Sequence, residues 1–363
     1  MSEADRRFMA LALSLAGRGL GNVWPNPAVG CVIVRHGRIL GRGWTQPGGR
    51  PHAERRALDQ AGDAARGATA YVTLEPCAHH GQTPPCAEAL VAAGVVRVVT
   101  AQTDPDPRVA GRGHAMLRAA GVEVTEGVLE PEARALQTGF LMRVTQGRPM
   151  LTLKLASSFD GRIATASGES QWITGPEARA RVHALRARHD AVMVGGGTAR
   201  ADDPLLTVRG FAPLRAPVRV VVCSQLDLPR GRLAASVAQA PLWLMHGPDA
   251  PAKARDFWQG TGARLLEVPN AGGGLDPQAL MQCLGAEGLT RVFCEGGGVF
   301  AAALMRAGLV DELIGFTAGV ALGGDARAAL GPMHLHHLAD APRFALIGTE
   351  PIGGDVIHRW RRA

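Results

Sequence analysis

The chain has 363 residues, 46% of them apolar and 20% charged, a balance that predicts two globular domains and excludes a disordered chain. Six cysteines in so long a chain exclude a disulfide scaffold and suit reduced thiols in the cytoplasm. The net charge of +7 suits an anionic partner, and with the arginines scattered and a single Tyr, a phosphorylated small molecule fits better than nucleic acid.

In chain order, a helix is expected over Glu3–Ala16, with Phe8, Leu11 and Leu15 on its apolar side. Arg6-Arg7 ahead of Phe8–Ala16 loosely resembles a secretion signal, but the stretch is short and lacks a clean small-x-small cleavage site. No apolar run approaches the roughly 20 residues of a membrane span. Strands at Ala28–Arg35 and Arg38–Trp44 flank the His36-Gly37 turn. A helix runs from His52 to Gln60, and a buried strand, Ala70–Leu74, leads into a loop rich in Pro, Cys and His. A helix over Pro85–Ala93 stops at Gly94, followed by the strand Val95–Ala101, a helix near Gly113–Ala120 and the strand Val122–Glu126. This alternation predicts an α/β layer fold around one sheet. The helical stretch Glu126–Arg148, opening at Glu130-Pro131, closes the first domain, residues 1–147. A second α/β alternation fills 148–363. Its strands are Met150–Ala156, Ala191–Val194, Val218–Cys223, Leu242–His246 and Arg291–Cys294, with helices at Pro176–Arg188 and Val299–Ala307.

Within the first domain His52-Ala53-Glu54 opens a helix, Glu75-Pro76-Cys77 follows a strand, and Cys86 starts the next helix. One His and two Cys are three ligands suited to a single Zn²⁺, and three protein ligands leave a fourth position for a water of lowered pKa. Helix N-termini near the two cysteines favour thiolates. Glu54, two residues past His52, reaches that water without ligating the metal, so it can carry a proton to a departing amine. The pattern is the H-x-E…P-C-x-x-C signature of zinc deaminases, except that eight residues, Ala78–Pro85, separate the cysteines and must loop outward. His79 or His80 could replace His52 or complete a structural four-ligand site, so those alternatives stand beside the catalytic reading.

In the second domain Glu295-Gly296-Gly297-Gly298 links a strand to a helix, and Gly195-Gly196-Gly197-Thr198 is a second such turn. Backbone N–H groups exposed there suit a nucleotide phosphate, although glycines also serve tight turns alone.

Asn26-Pro27-Ala28-Val29-Gly30, His52-Ala53-Glu54 and the run Glu75 to Cys86, with His79-His80-Gly81 and Thr83-Pro84-Pro85-Cys86, resemble the bifunctional riboflavin-biosynthesis deaminase/reductase family. Lys154–Arg162, Ser167–Thr174, Ala201–Arg209 and Glu295–Gly298 ahead of Gly308–Glu312 resemble that family's reductase half. The resemblance implies a cytidine-deaminase-like three-layer α/β/α domain followed by a dihydrofolate-reductase-like α/β domain. It makes His52, Cys77 and Cys86 the zinc ligands, Glu54 the proton carrier and Asn26 a holder of the pyrimidine ring. It places Ala156, Trp172, Thr198, Asp202, Ser224, Gly297 and Gly298 against NADPH. Ser170, Arg186, Leu206, Arg209 and Glu295 fall against the substrate, with Arg186 and Arg209 able to clamp its phosphate.

Two steps are implied: hydrolytic deamination of a diaminopyrimidinone ribose 5′-phosphate at C2, then reduction of the ribosyl chain by NADPH, with Asp202 or Glu295 managing the proton. The expected partner is this small phosphorylated pyrimidine, without nucleic acid or membrane, in a homo-oligomer, a dimer or tetramer, in the cytoplasm. Trp24 is bulkier than expected beside the ring pocket, and Gly195-Gly196-Gly197 is unusually glycine-rich. A nucleic-acid base deaminase would leave the second half unexplained, and a zinc-stabilised binding protein would not need Glu54. The C-terminal fifty or so residues carry no usable motif.

Overall fold

The computed structural model describes residues 2–79, 84–107 and 109–363. It divides into two compact units, Met1–Gly147 and Arg148–Ala363.

In the first unit, β1 (Gly30–Arg35), β2 (Arg38–Trp44), β3 (Thr69–Val72), β4 (Arg97–Thr100) and β5 (Glu123–Thr125) form a sheet in the order β2-β1-β3-β4-β5. The β1 strand runs antiparallel to β2 and β3, whereas β3, β4 and β5 are parallel. The period-2 rule, with a core on each face, explains why β1 is apolar and buried up to its last residue, the exposed Arg35. Cys31 and Ile33 join one core with α2 (Ala53–Ala61), α3 (Cys86–Ala92) and α4 (Arg112–Ala119). Val32 and Val34 join the opposite core with α1 (Glu3–Ala16) and Ala133 of α5 (Glu130–Gln146). The result is three layers, α/β/α.

Ser2 starts α1 with a capping box: its hydroxyl accepts from Asp5 N and its own N–H donates to the Asp5 carboxylate. The same carboxylate takes a bidentate bond from Arg97 of β4 and one from the Tyr71 hydroxyl of β3. The basic and apolar segment that loosely resembled a secretion signal is therefore a helix built into this core. Strand β3 stops short of the expected Leu74, because the Thr73 hydroxyl accepts from Gly30 N at 3.0 Å where the ladder would continue.

In the second unit the strands are β6 (Met150–Ser158), β7 (Ala191–Gly195), β8 (Val218–Val222), β9 (Leu242–His246), β10 (Arg264–Glu267), β11 (Arg291–Cys294), β12 (Glu312–Ala318), β13 (Phe344–Ile352) and β14 (Asp355–Arg362). They form a nine-stranded sheet in the order β10-β9-β8-β7-β11-β6-β12-β14-β13. The seven strands from β10 to β12 pair in parallel, and the hairpin β13–β14 adds on antiparallel. The motif-free C-terminal stretch is this hairpin. Nearly every residue of β13 faces solvent and the strand contains Gly348 and Pro351, so no alternation announces it. No helix among the described residues is long and apolar enough to cross a membrane.

Candidate zinc centre and reductase site

His52 is the N-cap of α2, and Glu54 lies in the first turn with only 4% of its surface exposed. The helix sits directly on β2. A Cβ added at Gly43 would lie 2.1 Å from Ala53 O, and one at Gly41 would lie 2.0 Å from Ala57 O. Only glycine lets the backbone of α2 come this close, and that approach sets where His52 and Glu54 stand.

Cys86 is the first residue of α3, while Cys77 lies in the loop after β3 rather than at a helix start. Cys77 still receives a helix N-terminal amide, because Cys86 N donates to its sulfur at 3.3 Å. The preceding Glu75 is buried and its carboxylate accepts from the backbone N–H groups of Asp104, Gly111, Gly113 and His114. This nest ties the Cys77 loop to the chain before α4.

His52 Nδ1 stands 3.7 Å from Cys77 Sγ and 3.4 Å from Cys86 Sγ, and the three ligand atoms lie within 4.8 Å of one another. A tetrahedron with Zn–N of about 2.1 Å and Zn–S of about 2.3 Å has N···S edges of about 3.6 Å, so the donor set fits zinc without rearrangement. Neither His79 nor any other described residue joins the cluster as a fourth ligand. His80 and the centre of the loop expected to turn outward lie outside the described residues.

The two ligand thiols are shifted in opposite directions: the Cys86 thiol is raised, chiefly by its hydrogen bond with Cys77 and by burial. The Cys77 thiol is drawn down to about 4, chiefly by the hydrogen bond from Cys86 and against the effect of burial. Burial pushes the Glu54 carboxyl up, opposed by the charge of His52. Cys31 of β1 is fully buried, and burial and the Glu54 charge raise its thiol. Asn26 donates from its amide nitrogen to Gly49 O at 2.8 Å, which fixes the side chain. Trp24, before it, is half-buried.

The second site gathers at the carboxyl ends of the parallel strands, where open α/β sheets bind ligands. Ala156 belongs to β6, Ser224 follows β8, and the two glycine turns follow β7 and β11. They meet directly: Gly297 N donates to the Thr198 hydroxyl at 2.9 Å. Gly297 caps α7 (Gly298–Arg306), and a Cβ on Gly298 would meet Ala328 O at 2.8 Å. Gly197 has open space above it. Trp172 is 66% exposed, with the Arg179 guanidinium over its ring. Ser170 lies in the same half-buried loop.

Arg186, near the end of α6 (Pro176–Arg186), and Glu295, just after β11, form a bidentate pair at 2.5 and 3.0 Å, with each side chain only 12% exposed. Arg186 therefore does not project as an unpaired phosphate grip. Burial alone would raise Glu295, but Arg186 and Lys154 outweigh it and hold the carboxyl ionised. Asp202 is shifted the other way, raised by desolvation.

Residues 149–358 match the RibD C-terminal domain family, and residues 2–102 match the cytidine and deoxycytidylate deaminase zinc-binding region. The chain is 46% identical to the riboflavin biosynthesis protein RibD of Escherichia coli K12, covering 97% of this chain and 98% of that one. It is 36% identical to RibD of Aquifex aeolicus over 99% of both. The crystal structure of Acinetobacter baumannii RibD, form 1, superposes with a TM-score of 0.89 at 39% identity, covering 99% of both chains. A Thermotoga maritima structure described as a diaminohydroxyphosphoribosylaminopyrimidine deaminase/5-amino-6-(5-phosphoribosylamino)uracil reductase gives 0.86 at 33% identity over 99% of both chains.

The chain belongs to the RibD family.

As a RibD it combines a cytidine-deaminase-like domain with a dihydrofolate-reductase-like one, for riboflavin biosynthesis, with zinc and NADPH as cofactors. Two groups at these RibD sites were given no role from the sequence. Lys154 sits half-buried on β6, its amine pushed down by burial and sustained by the nearby Glu295. A lysine inside an otherwise apolar strand, Met150–Ala156, was the available signal. Glu75 offered a similar one, a carboxylate directly after a buried strand.

Proposed function

We propose that residues 1–147 deaminate 2,5-diamino-6-ribosylamino-4(3H)-pyrimidinone 5′-phosphate, and that residues 148–363 reduce the resulting 5-amino-6-(5-phosphoribosylamino)uracil to its ribityl product. The observation that carries the first half is the tetrahedral spacing of His52, Cys77 and Cys86 beside buried Glu54. Zinc, when bound by these three residues, lowers the pKa of water so that a nucleophile forms at neutral pH. With zinc held there, the Glu54 carboxylate would take a proton from the attacking water and hand it to the departing amine; the side chain is buried two residues beyond His52. Asn26, oriented by Gly49 O, meets the ring edge through Oδ1.

In the reductase Ala156, Thr198, Ser224, Gly297 and Gly298 at the strand ends, with Trp172 on the exposed rim, would hold NADPH, which would supply the hydride. Asp202 or Glu295 manages the proton of this step: Arg186 and Lys154 hold Glu295 as a carboxylate, and burial shifts Asp202 toward keeping a proton. Arg209, on the exposed rim, meets the phosphate, and Ser170 and Leu206 complete the substrate contacts.

The partner is this small anionic pyrimidine and not nucleic acid. The chain forms a homo-oligomer, a dimer or tetramer. The edge hairpin β13–β14 supports this reading, because it exposes Leu346, Ile347 and Val356 and ends the sheet with unpaired backbone. Reduced thiol ligands suit a cytoplasmic site of action.

The test is to follow ammonia release and NADPH absorbance with the diaminopyrimidinone ribotide. Glu54→Gln should cut ammonia release by about a hundred- to ten-thousand-fold while zinc content and reduction of pre-deaminated substrate persist. Ammonia release at the wild-type rate would show that Glu54 has another role.

A further inference from the structure

The segment 205–209 has no regular secondary structure, yet it holds a backbone conformation that a leucine resists. Leu206 sits at φ 55° with only 3% of its surface exposed. A β-carbon in the left-handed region crowds the following carbonyl, so such a residue persists only where its surroundings fix it.

Three side chains fix the backbone on both sides of Leu206. Arg219 of β8 is fully buried, and one of its terminal nitrogens donates to Leu205 O at 3.4 Å. Its other bonds go to the Ser236 hydroxyl, Ser236 O and Ala240 O, a hydroxyl and backbone carbonyls. Arg186 donates to Thr207 O at 2.7 Å with the nitrogen that its pair with Glu295 leaves over. His183, one turn earlier on α6, accepts the backbone N–H of Arg209 at its Nδ1, 3.2 Å away. Burial, then the charges of Arg186 and Arg209, lower the pKa of His183, which keeps that nitrogen free to accept.

We propose that His183, Arg186 and Arg219 are positioning residues of the reductase, which together hold the strap 205–209 in the shape that presents the backbone at Leu206, whose side chain is buried in the core, and the exposed Arg209 to the substrate. This rests on the substrate contacts proposed above for those two residues. A planar fork at 186 and 219 and a ring acceptor at 183 are what the arrangement needs. A lysine reaches one carbonyl where Arg219 reaches three and a hydroxyl.

The experiment uses the full-length chain at saturating NADPH, with the deaminated substrate varied. His183→Phe keeps the ring and removes the acceptor, while His183→Asn puts an amide oxygen near the place of Nδ1. His183→Phe and Arg219→Lys should each raise the reductase KM about tenfold, the effect of one net hydrogen bond, with kcat held within about threefold. NADPH affinity and ammonia release should stay at wild-type levels, and His183→Asn should recover most of the loss. An unchanged KM in His183→Phe overturns the proposal. So does a parallel fall in kcat, NADPH affinity and KM-corrected rate that His183→Asn fails to rescue, which marks a merely structural role. If Arg219→Lys does not fold, the two His183 variants decide alone. A wild-type chain that does not reduce this substrate refutes the parent reading instead, and the strap proposal with it.

Discussion

The two sites of this chain are built on opposite plans. The zinc centre takes its chemistry from side chains of fixed identity, all between His52 and Cys86. The reductase site spans Ala156 to Gly298 and is assembled from strand ends, glycine turns and one buried ion pair. The first tolerates almost no change of residue type, because a metal selects its donor atoms. The second relies on where the sheet brings backbone together, so many sequences could build it.

The comparison can be broken in several ways, beginning with the largest effect. Stripping zinc with a chelator should abolish ammonia release and leave NADPH-dependent reduction of pre-deaminated substrate intact. A parallel loss of both activities in a coupled assay would mean that the sites are not independent. Next, Glu295→Gln strands the buried Arg186 charge. It should lower reductase turnover and remove about 3 kcal/mol from the second unit in urea unfolding, with ammonia release unchanged.

Acid should also separate the units. His189 is buried between Leu185 O and the Thr152 hydroxyl, and burial drives it from the ordinary 6.5 down to about 3. A histidine kept neutral in the fold stabilises fully above about pH 6.5 and loses that contribution as the pH falls below it. At pH 5 the reductase unit should therefore have lost about 2 kcal/mol. In the deaminase unit Asp5 is held well below the ordinary carboxylate range, chiefly by its bond from Arg97. That contribution is present above about pH 4 and fades only at lower pH. Domain-resolved hydrogen exchange at pH 5 would show which unit opens first, and earlier opening of the deaminase unit would contradict this order. Gly43→Ala acts on the position of His52 alone: the new methyl would lie 2.1 Å from Ala53 O, so α2 must shift to admit it. It should cost about 3 kcal/mol and weaken zinc binding in a competition titration, because His52 moves with α2.

Much of the first unit was legible, and for a physical reason. Catalytic zinc demands particular donors at particular spacings, and the strand–helix alternation around them follows from hydrophobic period. The gap between Cys77 and Cys86, which departs from the usual deaminase spacing, distinguished the family rather than obscuring it. The second unit was legible in its strands and glycine turns, but Arg186 and Glu295 were read as separate groups. Their pairing joins α6 to the end of β11, a contact between residues far apart in sequence that no local pattern encodes. The C-terminal hairpin was missed because solvent covers most of β13, leaving no apolar alternation to detect.

The sequence by itself determined the metal, the α/β class of both halves and the family resemblance, since those depend on residue identity and local period. Only the tertiary structure decided that α2 rests on glycines of β2, that Glu75 gathers four amides, that Glu295 is neutralised by Arg186, and that the strap around Leu206 is held from three sides. Each of these is a close approach of chain segments whose energy depends on distance and burial, quantities that exist only once the chain has folded.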